Sequence, residues 1–148
     1  MADLVAVQRV SLVASGTSAQ TYIQLNAPTN QRVKLKEVGI SFAGTVNTNA
    51  PVNVQLVIQT TAGTASAGTP VATDGDVAET IQATTRVTFT AEPTYAGVLR
   101  EWNVHPQTGI IVPLPLAKPP VLKGGTRVGL VVTAGVTVNA SAYIEWEE

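Results

Sequence analysis

The chain has 148 residues, enough for one ordinary core, with 45% apolar and only 13% charged side chains and a formal net charge of −1. Ample apolar content with little net charge argues against disorder, and the lack of a basic excess argues against nucleic acid as a partner. There is no cysteine, so disulfides, thiolate metal sites and thiol nucleophiles are excluded.

The start, Met1-Ala2-Asp3-Leu4, lacks the basic opening and long apolar run of a secretion signal. No stretch approaches the ~20 apolar residues of a spanning helix. Synthesis in the cytoplasm with no membrane partner is the expectation.

The dominant pattern along the chain has period two, the signature of half-buried strands. Residues 4–13 and 20–25 are short strand candidates separated by Gly16-Thr17-Ser18, and Ala27-Pro28-Thr29-Asn30 marks the next turn. Residues 32–42 carry a phase change. Val33 and Leu35 are apolar at odd positions, then Val38, Ile40 and Phe42 at even ones. Keeping both groups inward requires an extra residue, so a β-bulge or sharp bend is expected near Lys36-Glu37. Arg32, Lys34 and Lys36 then read as a solvated strand face.

After turn-rich residues 44–51 comes a strand with Val52, Val54, Leu56 and Ile58 on one phase. Residues 60–70, rich in Thr, Ala, Gly and Ser, read as a flexible loop, and Asp74-Gly75-Asp76 as a tight turn. Strand candidates follow at 86–90 and 98–105. In 110–116, Ile110, Val112, Leu114 and Leu116 alternate with Ile111, Pro113 and Pro115. Proline donates nothing to a ladder, so this segment is expected at a sheet edge or as an extended arm.

Lys118-Pro119-Pro120 and Lys123-Gly124-Gly125 bracket a turn. Val128, Leu130 and Val132 form another strand, and Ala134-Gly135 is expected to join it to the last one as a hairpin. That last strand is the clearest: Val136, Val138, Ala140, Ala142, Ile144 and Trp146 alternate with polar neighbours and with Tyr143.

No amphipathic helix and no internal repeat emerges. About eight to ten short strands at regular spacing predict one all-β domain over 1–148, an antiparallel β-sandwich or barrel that is jelly-roll-like. An N-terminal arm over residues 1–7 and a Pro-rich extended segment over 110–120 are its expected appendages.

Little chemistry is on offer. His105 is the one histidine, lies beside Pro106 and belongs to no base motif. Asp74-Gly75-Asp76 lacks the rest of a calcium loop and reads as a turn. Glu145, Glu147 and Glu148 read as a solvated tail, with a charged docking tail as the alternative. Gly124-Gly125 precedes a strand, so it fits no phosphate loop. Trp102 and Trp146 fall on apolar phases and are expected in the core. No catalytic residue, cofactor site or metal site is assigned, and an enzyme is not expected.

Several segments share a texture with a known group. They are Ile40-Ser41-Phe42-Ala43-Gly44, Pro51-Val52-Asn53-Val54-Gln55-Leu56, Phe89-Thr90-Ala91-Glu92-Pro93-Thr94, Trp102-Asn103-Val104-His105-Pro106-Gln107 and Tyr143-Ile144-Glu145-Trp146-Glu147-Glu148. Across residues 32–148 the series resembles small structural proteins of tailed bacteriophages and prophages. The resemblance implies a virion component, a decoration or cement protein on the capsid exterior, β-rich and trimeric, whose partner is the major capsid protein. The residues expected to contact that partner are Leu4, Val5 and Val7 of the N-terminal arm and Ile111, Pro113 and Pro115 of the Pro-rich segment, by apolar and strand-edge contacts. The alternative reading is a carbohydrate- or receptor-binding β-sandwich, which would expose Trp102 or Trp146.

Overall fold

A computed structural model describes residues 4–43, 50–73, 79–115 and 118–148. The expected loop at 44–51 and the Asp74-Gly75-Asp76 turn fall largely or wholly outside these, as does Leu116. The described residues contain twelve strands and no helix: β1 (Val5–Ser15), β2 (Gln20–Asn26), β3 (Val33–Ala43), β4 (Val52–Gln59), β5 (Thr64–Ala67), β6 (Val71–Ala72), β7 (Thr84–Ala91), β8 (Tyr95–Val104), β9 (Ile110–Pro113), β10 (Val121–Leu122), β11 (Arg127–Thr133) and β12 (Val138–Glu147).

They form two antiparallel sheets. Sheet I has the order β10-β3-β12-β1-β6, with β9 also pairing β3; sheet II has the order β5-β7-β2-β11-β4-β8. The long pairings are nested. β1 pairs β12, β2 pairs β11, β3 pairs β9 and β10, and β4 pairs β8, falling alternately in sheet I and sheet II. That is the strand order of a jelly roll, open at its edges rather than closed into a barrel. The excursion β5–β7 between β4 and β8 widens both sheets on one side, which with the two-residue β10 lifts the count above the eight to ten expected.

The alternation of β12 becomes burial directly. Val138, Ala140, Ala142, Ile144 and Trp146 are at most 3% exposed and belong to the core cluster, with β12 packing on β2 across the sandwich. Val136 lies in the preceding turn and is 44% exposed, so the strand begins later than its apolar phase suggests. The bulge in β3 occurs where expected. Glu37 pairs Glu145 and Leu35 pairs Trp146, leaving Lys36 as the extra residue, and Leu35 and Val38 both reach the core.

Tyr22 stitches the sheets together: its hydroxyl donates to the Val13 carbonyl and accepts from Ser15 Oγ, each at 2.9 Å. Burial pushes that phenol up from its ordinary pKa. Gln8 does the same near the β5–β7 side, its Oε1 accepting the Thr85 hydroxyl at 2.7 Å.

Four expectations are corrected. Ala134-Gly135 is no hairpin. β11 lies in sheet II and β12 in sheet I, and the Ala134 amide donates to Gly16 at 2.8 Å as the chain crosses between them. Residues 60–70 are not one loop, because β5 pairs β7 there.

The C-terminal acids are no solvated tail. Glu147 bridges Lys34 and Lys36 at 2.6 and 2.9 Å, while Glu148 accepts the amides of Gln82 and Ala83. The basic face is likewise ion-paired rather than merely solvated, since the bulge lets both lysines reach one carboxylate.

Candidate functional site

The outer face of sheet I can be read row by row from the strand register. Every second residue of each strand points outward, and directly paired residues share a face. One row runs Arg9, Tyr143, Gly39, Ile111; the next runs Val71, Val7, Glu145, Glu37, Pro113; a third holds Val5 and Glu147. Val71 and Ile111, at opposite margins of the face, are 61% and 65% exposed, and Val121 of β10 is 47% exposed. The face is therefore apolar at both sides with a charged strip between them.

At its centre Tyr143 lies over Gly39. A Cβ at Gly39 would overlap the Tyr143 ring, so glycine is required for the ring to lie against the backbone of β3. The Tyr143 hydroxyl donates to Glu37, which holds the ring in place. Desolvation, then this hydrogen bond and the charges of Glu37 and Glu145, push the phenol up to about 12.

Beside the ring is a cleft of about 220 Å³ lined by Arg9, Ser41, Ile111, Ser141 and Tyr143, with Arg9 donating to Ser11 Oγ at 2.9 Å. A larger depression of about 580 Å³, lined by Val7, Arg9, Ser11, Thr69 and Val71, follows the margin of β1.

Four of the six residues expected to contact a partner share this face. Val5 and Val7 stand on β1, and Ile111 and Pro113 on β9, with β12 and β3 between them. Leu4 does not join them. It is 9% exposed, and its backbone exchanges two hydrogen bonds with Glu148, at 3.2 and 2.9 Å. Pro115 is exposed beyond the end of β9, after the buried Leu114, whose amide donates to Lys36 at 2.7 Å.

Neither group is a free arm. Residues 4–7 are built into sheet I, and residues 110–114 lie along β3. Tyr143, Gly39, Arg9 and Val71 escape sequence reasoning. A glycine and a tyrosine on the polar phases of two alternating strands were the available signal for the first pair.

Among the described residues no cluster of three or more His, Asp and Glu stands ready to hold a metal. His105 forms the turn after β8: its Nδ1 accepts the Gln107 amide at 3.2 Å and its carbonyl accepts those of Thr108 and Gly109. Trp146 is sealed in the core, and Trp102 is half-buried against it. No helix of the described residues is long and apolar enough to cross a membrane. Comparison with protein-family models, with curated proteins and with solved structures returned no match.

Proposed function

We propose that this protein is a virion structural protein, a decoration or cement protein that binds the exterior of an assembled capsid through the outer face of sheet I. The observation that carries the reading is the disposition of that face. Apolar side chains stand towards both margins, exposed Val71 beside half-buried Val7 on one side and exposed Ile111 and Pro113 on the other. They flank a strip in which Glu147 pairs Lys34 and Lys36 and Glu37 accepts the Tyr143 hydroxyl. A face with apolar area towards both margins suits docking against a repeated protein surface such as a shell of major capsid protein.

The mechanism is thermodynamic. A protein that binds only the assembled shell stabilises it by mass action, by about 2.7 kcal/mol per site at a hundredfold excess over Kd. A homotrimer, part of the same proposal, would place three such faces on adjacent capsid subunits. Light scattering of the purified protein followed by co-sedimentation with empty capsids tests both parts. The reading expects a trimer mass and saturable binding, and a protein left wholly in the supernatant would contradict it.

One observation favours a carbohydrate- or receptor-binding role as the second reading. Tyr143, Arg9, Ser41 and Ser141 line one cleft, combining a ring face with polar groups. Binding of a glycan that disappears in Tyr143→Ala would support it over the capsid reading.

A further inference from the structure

The sheet edges are unequal. At the margins of the two sheets, β5 and β9 have four residues each and β6 and β10 have two, whereas β8 has ten. Short strands and a terminal proline blunt the first four edges against pairing with another chain. Along β8 the N-terminal half is blunted in another way, since the register shifts at Ala96 and Leu99 insert two bulges. From Arg100 to Val104 the ladder with β4 is regular, and among the described residues nothing pairs the other side of β8. Five consecutive residues thus present a regular, unpaired strand edge, with Arg100, Glu101 and Asn103 exposed, Trp102 half-buried and Val104 buried.

The sequence of this stretch selects its occupant. Two copies of β8 meeting antiparallel in one continuous sheet keep inward residues opposite inward ones, so the two-fold axis must pass through a residue rather than between two. An axis at Arg100 or at Glu101 sets like charges directly opposite, which is unfavourable. An axis at Trp102 sets Glu101 of each copy opposite Asn103 of the other and Arg100 opposite Val104.

Glu101 and Asn103 already lie on the outward face, where Asn53 Nδ2 donates to both at 2.6 and 3.3 Å. The half-buried Trp102, packed against the core, would meet its own copy across the axis and bury its remaining exposed surface there.

We propose that β8 is a self-association edge: a second copy of this chain pairs with it antiparallel about a two-fold axis at Trp102, joining two copies of sheet II into one sheet. The contact is separate from any three-fold association. A three-fold and a two-fold contact on the same chain together generate a closed net, which is what a layer covering a shell requires.

The cysteine-free sequence makes the register directly testable. Glu101→Cys and Asn103→Cys proteins are prepared separately, mixed, oxidised mildly and run without reductant. Directly opposite residues lie within disulfide reach at about 4.5–5.5 Å between Cα atoms. Identical cysteines would sit on a diagonal at roughly 7–8 Å. The expected result is a cross-linked dimer in the mixture, at several times the yield of either variant alone. No cross-link in the mixture, or equal yields in all three samples, would overturn the proposal. Neither outcome depends on whether the protein binds capsids.

Discussion

On the outer face of sheet II the polar side chains are tied to one another. Gln24 donates to Gln59 and to the Thr61 carbonyl, at 2.8 and 3.0 Å. Gln59 donates to Thr21 Oγ1, and Glu92 accepts the Thr21 amide and hydroxyl as well as Tyr95 OH. Gln24, Gln59 and Thr21 are at most 2% exposed, sealed by the β7–β8 connection that Glu92 anchors. On the outer face of sheet I the charges pair locally, and Val71 and Ile111 are left in solvent. A face whose polar side chains are largely bonded to one another contributes stability, here with Gln24 Oε1, Asn26 Oδ1 and Arg127 Nε buried without a partner. A face that leaves apolar area uncovered contributes little to the monomer and gains when something covers it. The two sheets share one core and differ in degree: sheet II leaves Val98 of β8 in solvent, at 53% exposure, whereas sheet I leaves Val71, Ile111 and Val121.

The largest effect that could break this contrast lies on sheet II. Glu92→Ala removes the acceptor of a backbone amide and two hydroxyls, and hydrogen bonds to a charged group put the expected loss at about 1.5–3 kcal/mol, read from urea denaturation. A loss below about 0.5 kcal/mol would mean the network does not hold this face. Gly39→Ala comes next, on sheet I. It forces Tyr143 off β3 and should destabilise by about 1–3 kcal/mol, with the phenol pKa falling towards 10 in a spectrophotometric titration.

At high pH the stability profile reflects three raised phenols, Tyr22, Tyr95 and Tyr143, of which Tyr143 belongs to the sheet I face. The folded pKa of Tyr143, about 12, stands above the unfolded value of 10.0, so the native state holds the proton longer. Its contribution is intact below pH 10 and declines as pH rises from about 10 to about 12. Tyr143→Phe should make that part of the stability profile less steep, and an unchanged slope would remove Tyr143 as a source.

The smallest effect sharpens the fold rather than the faces. Thr88 is a β-branched residue with φ of 56°, sitting at the shift between β5 and β7. Left-handed backbone costs such a residue about 1–2 kcal/mol. Thr88→Gly should therefore raise the thermal midpoint slightly, the gain reduced by the entropy of glycine in the unfolded chain.

Much of the architecture was legible because it is local. The alternation of Val138 to Trp146 and the phase change at Lys36 each need only a dozen residues, and both appear in the structure as read. The misreadings involve distance. Glu148 reads as a tail until residues 82–83, far away in sequence, bring two amides to it. Ala134-Gly135 reads as a hairpin because nothing nearby says that β12 is paired by β1.

β5 carries no apolar phase, since Thr64, Ala65, Ser66 and Ala67 form an exposed edge, so period-two reasoning passes over it. For the candidate face, the sequence pointed to both groups of apolar residues but not to their common surface. That surface depends on β12 and β3 lying between β1 and β9. Tyr143 over Gly39 likewise exists only through the pairing of β12 with β3.

The most direct test of the contrast compares variants of the two outer faces in one binding assay. Val71→Glu with Ile111→Glu changes exposed positions of sheet I, and Ala67→Glu with Thr84→Glu changes exposed positions of sheet II, away from β8. Exposed substitutions of the first kind should leave stability within about 0.5 kcal/mol. Co-sedimentation with empty capsids should then show binding weakened at least tenfold for the sheet I pair and retained by the sheet II pair. Full occupancy by the sheet I pair, or equal losses from both, would contradict the assignment of docking to the outer face of sheet I.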